Sequence, residues 1–329
     1  KEAGNSIASG GNYNTTIGRA SGKLLTTGDQ NSYIGTYAGL FNVTGSSNTA
    51  IGYNSQYGAS GQSHSNNTSV GKDSLKAITT AEDNTAVGLQ SGELMTSGHS
   101  NTLLGNATGR LMTTTANTVL VGLGAGYAIN STDANGTVAV GRFALNALTN
   151  GQYNTAIGYE ALKTEDTGNF NTAVGYQALT SQNRDGTVNN TAVGYKAGYA
   201  VTDGWSATLI GSNAGVALTT GFNTTIVGAN SGASLTTGDY NTAIGADALV
   251  NEDVGRGSTA IGYNALRQQN SDSNDEVTYN VGVGFQAGYN NITGTHNTFV
   301  GSHSAVGTGN MGSNNTTLGA LTLNALTTG

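Results

Sequence analysis

The 329-residue chain contains no cysteine and no proline, a single tryptophan, and charged side chains at only 9% of positions. Without cysteine there is no disulfide framework and no thiol chemistry, so cohesion rests on backbone hydrogen bonds and packing. The lack of proline, with 51 glycines in no three-residue rhythm, excludes collagen. No apolar run approaches the roughly 20 residues that span a bilayer, and no signal-peptide pattern follows Lys1. Membrane insertion is therefore not expected. The formal charge of −7 is carried by acids such as Glu82, Asp83, Glu165, Asp166, Glu252 and Asp253, and no basic stripe stands out to meet phosphates. That balance argues against nucleic acid as a partner.

What the chain has instead is one motif, copied. Eighteen times a short apolar segment ends in glycine, as in Asn154-Thr155-Ala156-Ile157-Gly158-Tyr159-Glu160-Ala161-Leu162 and Asn171-Thr172-Ala173-Val174-Gly175-Tyr176-Gln177-Ala178-Leu179. Twelve of the seventeen intervals between closing glycines are 17 residues. A fixed short period of this kind marks a solenoid, whose repeats bury apolar surface only by stacking on one another. The reading is an all-β parallel β-solenoid, a β-roll of about 18 coils, forming one continuous array over 1–329. Neither end carries a polar cap, and Leu-Thr-Thr-Gly329 stops where earlier copies begin a new coil, so both ends read as cut from or continued by a longer fibre.

Two short strands per coil are expected. The first is Thr-Ala-Ile, rich in β-branched residues; the second lies in the Ala-Leu-x-x-x-Thr stretch between glycines. Alternation assigns the Ile/Val row inward, which nominates Ile51, Val87, Ile157, Val174, Val193, Ile244 and Ile261 as core. The invariant corner glycine suits a positive φ. In longer spellings such as Asn117-Thr118-Val119-Leu120-Val121-Gly122 and Asn223-Thr224-Thr225-Ile226-Val227-Gly228, the inward pairs become Val119 with Val121 and Thr225 with Val227. Insertions fall in the loop half, as at Asn183-Arg184-Asp185-Gly186. Stacked at about 4.8 Å, eighteen coils would make a rod roughly 86 Å long. Its core is thin against an ordering cost of about 1–2 kcal/mol per residue, so lateral association of several chains is expected.

These spellings resemble the head repeats of YadA-like trimeric autotransporter adhesins and, more closely, the repeat arrays of phage-type tail fibres. The resemblance covers Asn14 to Gly329. It implies a left-handed parallel β-roll, three of which pack around a common axis. The adhesin head repeat is shorter, nearer to 14 or 15 residues, and the stalk, membrane anchor and chaperone-like domain of those families have no counterpart here.

Candidate site residues are few. The repeated Asn at the strand start reads as a structural ladder that satisfies turn backbone groups. Tyrosines after the glycine, at Tyr53, Tyr159, Tyr176, Tyr195 and Tyr263, form rows suited to packing between coils or to stacking on sugars. With Trp205 in its own loop, Tyr159, Tyr176, Tyr195 and Tyr263 are the candidate surface contacts. Thr rows would suit an ice lattice, but Thr changes sense between the two spellings, which spoils a regular array. Residues Asp272 to Glu276 form an acidic loop that reads as solvated rather than as a calcium site. The histidines His64, His99, His296 and His303 lie in loop halves without a matching acid and nucleophile, and Gly18-x-x-x-Gly22-Lys23-Leu24 falls one residue short of a phosphate loop. No catalytic, metal or cofactor residues are nominated.

The function expected is structural and non-enzymatic: a rigid shaft segment of an extracellular or virion fibre, at the cell surface or on the particle. Its main partner would be itself, as a trimer or filament. The alternative is an adhesin head that binds glycans or a host surface receptor through the Tyr rows and variable loops.

Overall fold

The computed structural model describes residues 2–271, 273, 276–307 and 311–323. It is an all-β parallel β-solenoid of about 18 coils spaced about 17 residues apart, divided into two compact units, Lys1–Asn169 and Phe170–Gly329. Of the acidic loop, Asp272, Asn274 and Asp275 lie outside the described residues, as does the terminal Leu-Thr-Thr-Gly329 stretch beyond Leu323.

In the first unit a three-residue strand recurs from Thr15–Ile17 to Thr155–Ile157, and in the second from Thr172–Val174 to Thr316–Leu318. Within each unit successive strands pair in parallel, like position on like position: Thr49 with Thr68, Ala50 with Ser69, Ile51 with Val70. The insertions follow the expected division, the strands staying in register while the coil ending at Gly141 accommodates its extra residues in a short 3-10 turn, Thr132–Ala134.

Among the described residues the second strand does not form in the Ala-Leu-x-x-x-Thr stretch. Residues 159–164, following Gly158, run through consecutive turns. The cause lies in two positions per coil with left-handed backbone, φ 55° at Glu160 and 49° at Leu162, where a strand needs extended residues. A non-glycine residue costs about 1–2 kcal/mol there. Hydrogen bonds to the next coil offset this, Leu145 N–H donating to Ala161 O at 3.0 Å and Ala147 N–H to Lys163 O at 3.1 Å.

The corner glycines carry the positive φ expected of them, 135° at Gly141 and 137° at Gly88. Sterics add a second reason: a β-carbon on Gly88 would lie 2.2 Å from the carbonyl oxygen of Gly105 in the next coil.

The core differs from the sequence expectation. Ile51, Val87, Ile157, Ile244 and Ile261 are each more than a third exposed, and Val174 and Val193 are half-buried. The inward residue is the middle one of each strand: Ala50, Ala86, Ala156, Ala173, Ala192, Ala243 and Ala260 are fully buried. The longer spellings obey the same rule. Val119–Val121 registers on Thr102–Leu104, so Leu120 points inward between Val119 and Val121, and Ile226 does so between Thr225 and Val227. The Asn ladder explains the phase. Asn48 N–H and Nδ2 both donate to Asn31 Oδ1 at 3.0 Å, and Asn48 Nδ2 reaches His64 O at 2.8 Å. With that Asn buried at the strand entrance, alternation puts the second residue after it inward and the flanking two outward. In the longer spellings Thr118 occupies the ladder place, its N–H and Oγ1 both donating to Asn101 Oδ1.

Leu25, Ile78, Met95, Met112, Ile129 and Leu148, seven residues after their glycines, close the first unit's core from the opposite side. Polar residues occupy the same place in other coils. Glu252 is fully buried there, its carboxylate accepting from Gly255 N–H at 2.7 Å and from Gln269 Nε2 at 2.7 Å.

Candidate interaction surfaces

Each unit turns the outer face of its parallel sheet to solvent, and two rows run along it. One is the Ile/Val/Leu row already named. The other is the outward first residue of each strand, mostly Thr: Val119 and Thr225 stand over Thr102 and Thr208 in register. Thr118 and Thr224 turn inward instead, so the Thr that follows Asn does change sense in the longer spellings, and Val119 and Val138 interrupt the outward row of the first unit. Ile157 is 39% exposed while its neighbour Ala156 is fully buried, so the larger apolar side chain of the strand lies outside. Burying a side chain of this size is worth about 1.5–3 kcal/mol, and contiguous exposed apolar patches mark contact surfaces.

The aromatic rows lie on the turns. Tyr176 stacks on Tyr195 with ring centroids 5.4 Å apart, and Tyr263 on Phe285 at 5.3 Å. Trp205 stacks on Phe222 at 5.0 Å, and Phe222 meets Tyr240 edge-on at 5.2 Å. Trp205 also carries the Arg184 guanidinium at 5.8 Å, itself paired with Asp203 at 2.7 Å. Tyr176, Tyr195 and Tyr263 remain nearly half exposed, and Tyr159 is half-buried. The rows therefore pack ring on ring between coils while leaving their edges to solvent.

Charge in the first unit is sorted in a way that the total of −7 conceals. Arg19, Lys23, Lys72, Lys76, Arg110, Arg142 and Lys163 all lie one or five residues after a closing glycine. Those positions share one surface: Arg142 lies 4.6 Å from the Phe143 ring centroid and 5.6 Å from that of Tyr159 in the next coil, and Lys163 lies 5.9 Å from Phe143. Arg110 sits 5.9 Å from Tyr127 and donates to its hydroxyl at 3.2 Å. Four acids reach the strip, each paired: Glu2 with Lys23 at 2.8 Å, Asp73 with Lys76 at 3.7 Å, Glu93 with Arg110 at 2.7 Å, and Glu160 with Lys163 at 2.9 Å. The unit's other acids, Glu82, Asp83, Glu165 and Asp166 among them, lie outside these post-glycine positions.

Two buried polar groups escaped the sequence reading. Tyr33 occupies the inward strand position, its hydroxyl accepting from Asn42 Nδ2 at 2.7 Å and donating to Asn31 Oδ1 at 3.1 Å; burial pushes the phenol pKa up. His64, in a loop half, is buried, and desolvation lowers its pKa to about 3. Its Nε2 has no hydrogen-bond partner. Among the described residues no group of three or more His, Asp or Glu is placed to hold a metal ion, and no helix is long and apolar enough to cross a membrane. Comparison with protein-family models, with curated proteins and with solved structures returns no match.

Proposed function

We propose that the chain is a structural shaft segment of an extracellular or virion fibre, a homo-oligomer whose subunits meet through the outer faces of their parallel sheets. The observation that carries this reading is the outward Ile/Val row. A stack of three-residue strands that places alanine inside and isoleucine outside has its stronger apolar row available for a second copy of itself. Faces this narrow, with one apolar row beside one Thr row, fit a shared axis where three subunits converge, and three is also the number that the resemblance to trimeric fibres implies. The corner glycines and the Asn ladder hold each coil in register, and so hold the apolar row straight.

Because the chain has no cysteine, a single Ile157→Cys variant reports on the interface by itself. A short trivalent maleimide should link three Ile157→Cys chains and leave Asp83→Cys chains, substituted at an exposed turn, unlinked. Equal linkage from both positions would overturn the reading.

The run of Thr172, Thr191, Thr208, Thr225, Thr242 and Thr259 in consecutive coils favours a second reading, adsorption of the same face to ice. It requires the face to be bare in solution, and ice-recrystallisation inhibition by the folded chain would support it.

A further inference from the structure

We infer that the post-glycine strip of the first unit binds an acidic polysaccharide. The inference is independent of whether subunits associate, because the strip lies on the turns and not on the sheet face. Its centre is Arg142, Phe143, Tyr159 and Lys163. Arg142 is exposed, has no carboxylate partner among the described residues, and rests between two rings with its guanidinium donating to the Tyr159 hydroxyl at 3.4 Å. An unpaired cation held over aromatic rings offers a carboxylate or sulfate a charged hydrogen bond, while the adjoining ring surface offers an apolar contact to the C–H face of a pyranose.

Charge placement selects an anionic chain over a neutral one. A protein of net charge −7 repels polyanions unless its cations are gathered, and here every described lysine and arginine of the unit is gathered onto one surface. The spacing then selects among polyanions. Cation-bearing coils close at Gly18, Gly71, Gly105, Gly141 and Gly158, one to three coils apart, hence about 5–14 Å at the inter-strand spacing. That is sparse against duplex DNA, which carries a charge about every 1.7 Å along its axis. It suits a polymer with one acidic group per one or two monosaccharides, lying along the stack.

Affinity electrophoresis through gels containing polygalacturonate, heparin, dextran or oligothymidylate tests this, with native folding of each variant checked by circular dichroism. The expected result is retardation by polygalacturonate or heparin that weakens with salt, little by dextran, and less by oligothymidylate than by the acidic sugar. Replacing Arg142 and Lys163 by glutamine should weaken acidic-polysaccharide binding by about two- to thirtyfold, from two exposed charge pairs. Tyr159→Ser should weaken it as well, which a purely ionic attraction would not do, and Arg184→Gln, off the strip, should leave it unchanged. Should either strip variant misfold, Arg142→Gln alone carries the test. Binding to neither acidic probe, equal binding to dextran, tighter binding to oligothymidylate, or unchanged affinity in a folded Arg142→Gln variant would overturn the proposal.

Discussion

A β-carbon built on Gly126 would lie 2.8 Å from Cδ1 of Leu120, the inward residue of the strand just before it. The two positions trade volume. Where the inward residue is large, as at Leu103, Leu120, Leu209 and Ile226, the fourth residue after the closing glycine is Gly109, Gly126, Gly215 and Gly232; where it is alanine, as at Ala139, Ala156, Ala173, Ala243 and Ala260, that residue is Leu145, Leu162, Leu179, Leu249 and Leu266. Most coils hold one large side chain between these places; where both are small, at Ala86 with Gly92 and Ala192 with Gly198, leucines of the adjoining coils fill the space, Leu75 and Leu103 in one case and Leu179 and Leu209 in the other.

The trade predicts a rescue. Ala156→Leu should destabilise the fold by about 1–3 kcal/mol through overpacking against Leu162, and Leu162→Gly by about 1–4 kcal/mol, the lost burial being partly offset by relief at a left-handed φ of 49°. The double variant should recover most of the loss, copying the Leu120/Gly126 arrangement. Chemical denaturation of the four proteins checks it, and additive losses would refute the shared-volume account.

Glycines should differ sharply in tolerance. Gly88→Ala meets the Gly105 carbonyl at 2.2 Å with φ at 137°, so a loss of roughly 2–4 kcal/mol is expected. Gly61, also at positive φ but with nothing within 4 Å, should lose only about 1–2 kcal/mol as alanine. Thermal melts of the two variants supply the comparison; equal losses would mean that backbone strain alone keeps the corner glycine.

The array was legible in the sequence because closing glycines recur at a fixed interval, and its parallel, in-register stacking follows from that alone. The inward row was not, because Ile in Thr155-Ala156-Ile157 is the more apolar residue and the usual rule sends it inside. Two signals in the chain point the other way. Asn154 at the strand entrance sets the phase of alternation, and the Ala/Leu against Leu/Gly trade links the middle strand residue, never the last, to the turn. The missing second strand was hidden for a different reason: Ala161-Leu162 carries no glycine, yet Leu162 adopts the backbone that Gly126 adopts in its own coil. The charged strip was invisible to net charge, and appears only when Arg142 and Lys163 are placed by their offsets of one and five from the closing glycine.

His64 makes stability depend on acidity. Its pKa falls from about 6.5 in the unfolded chain to about 3 in the fold, so between those values the unfolded state holds the extra proton. The stability contributed by the neutral, buried ring is complete above about pH 6.5 and is lost as pH falls toward 3, by up to about 1.4 kcal/mol per pH unit. His64→Leu should remove that part of the slope. Urea midpoints at pH 7 and pH 4 measure it: the variant should gain on the parent at pH 4 relative to pH 7, and an unchanged difference would show that His64 protonates freely in the fold.

Sedimentation equilibrium of the folded chain tests the central claim most directly. Subunits joined through their outward Ile/Val rows predict a single species of three times the 33.1 kDa chain mass, broken down when Ile51 and Ile157 are both changed to Glu. A stable, folded species at 33.1 kDa, with the parent and the double variant indistinguishable, would contradict it.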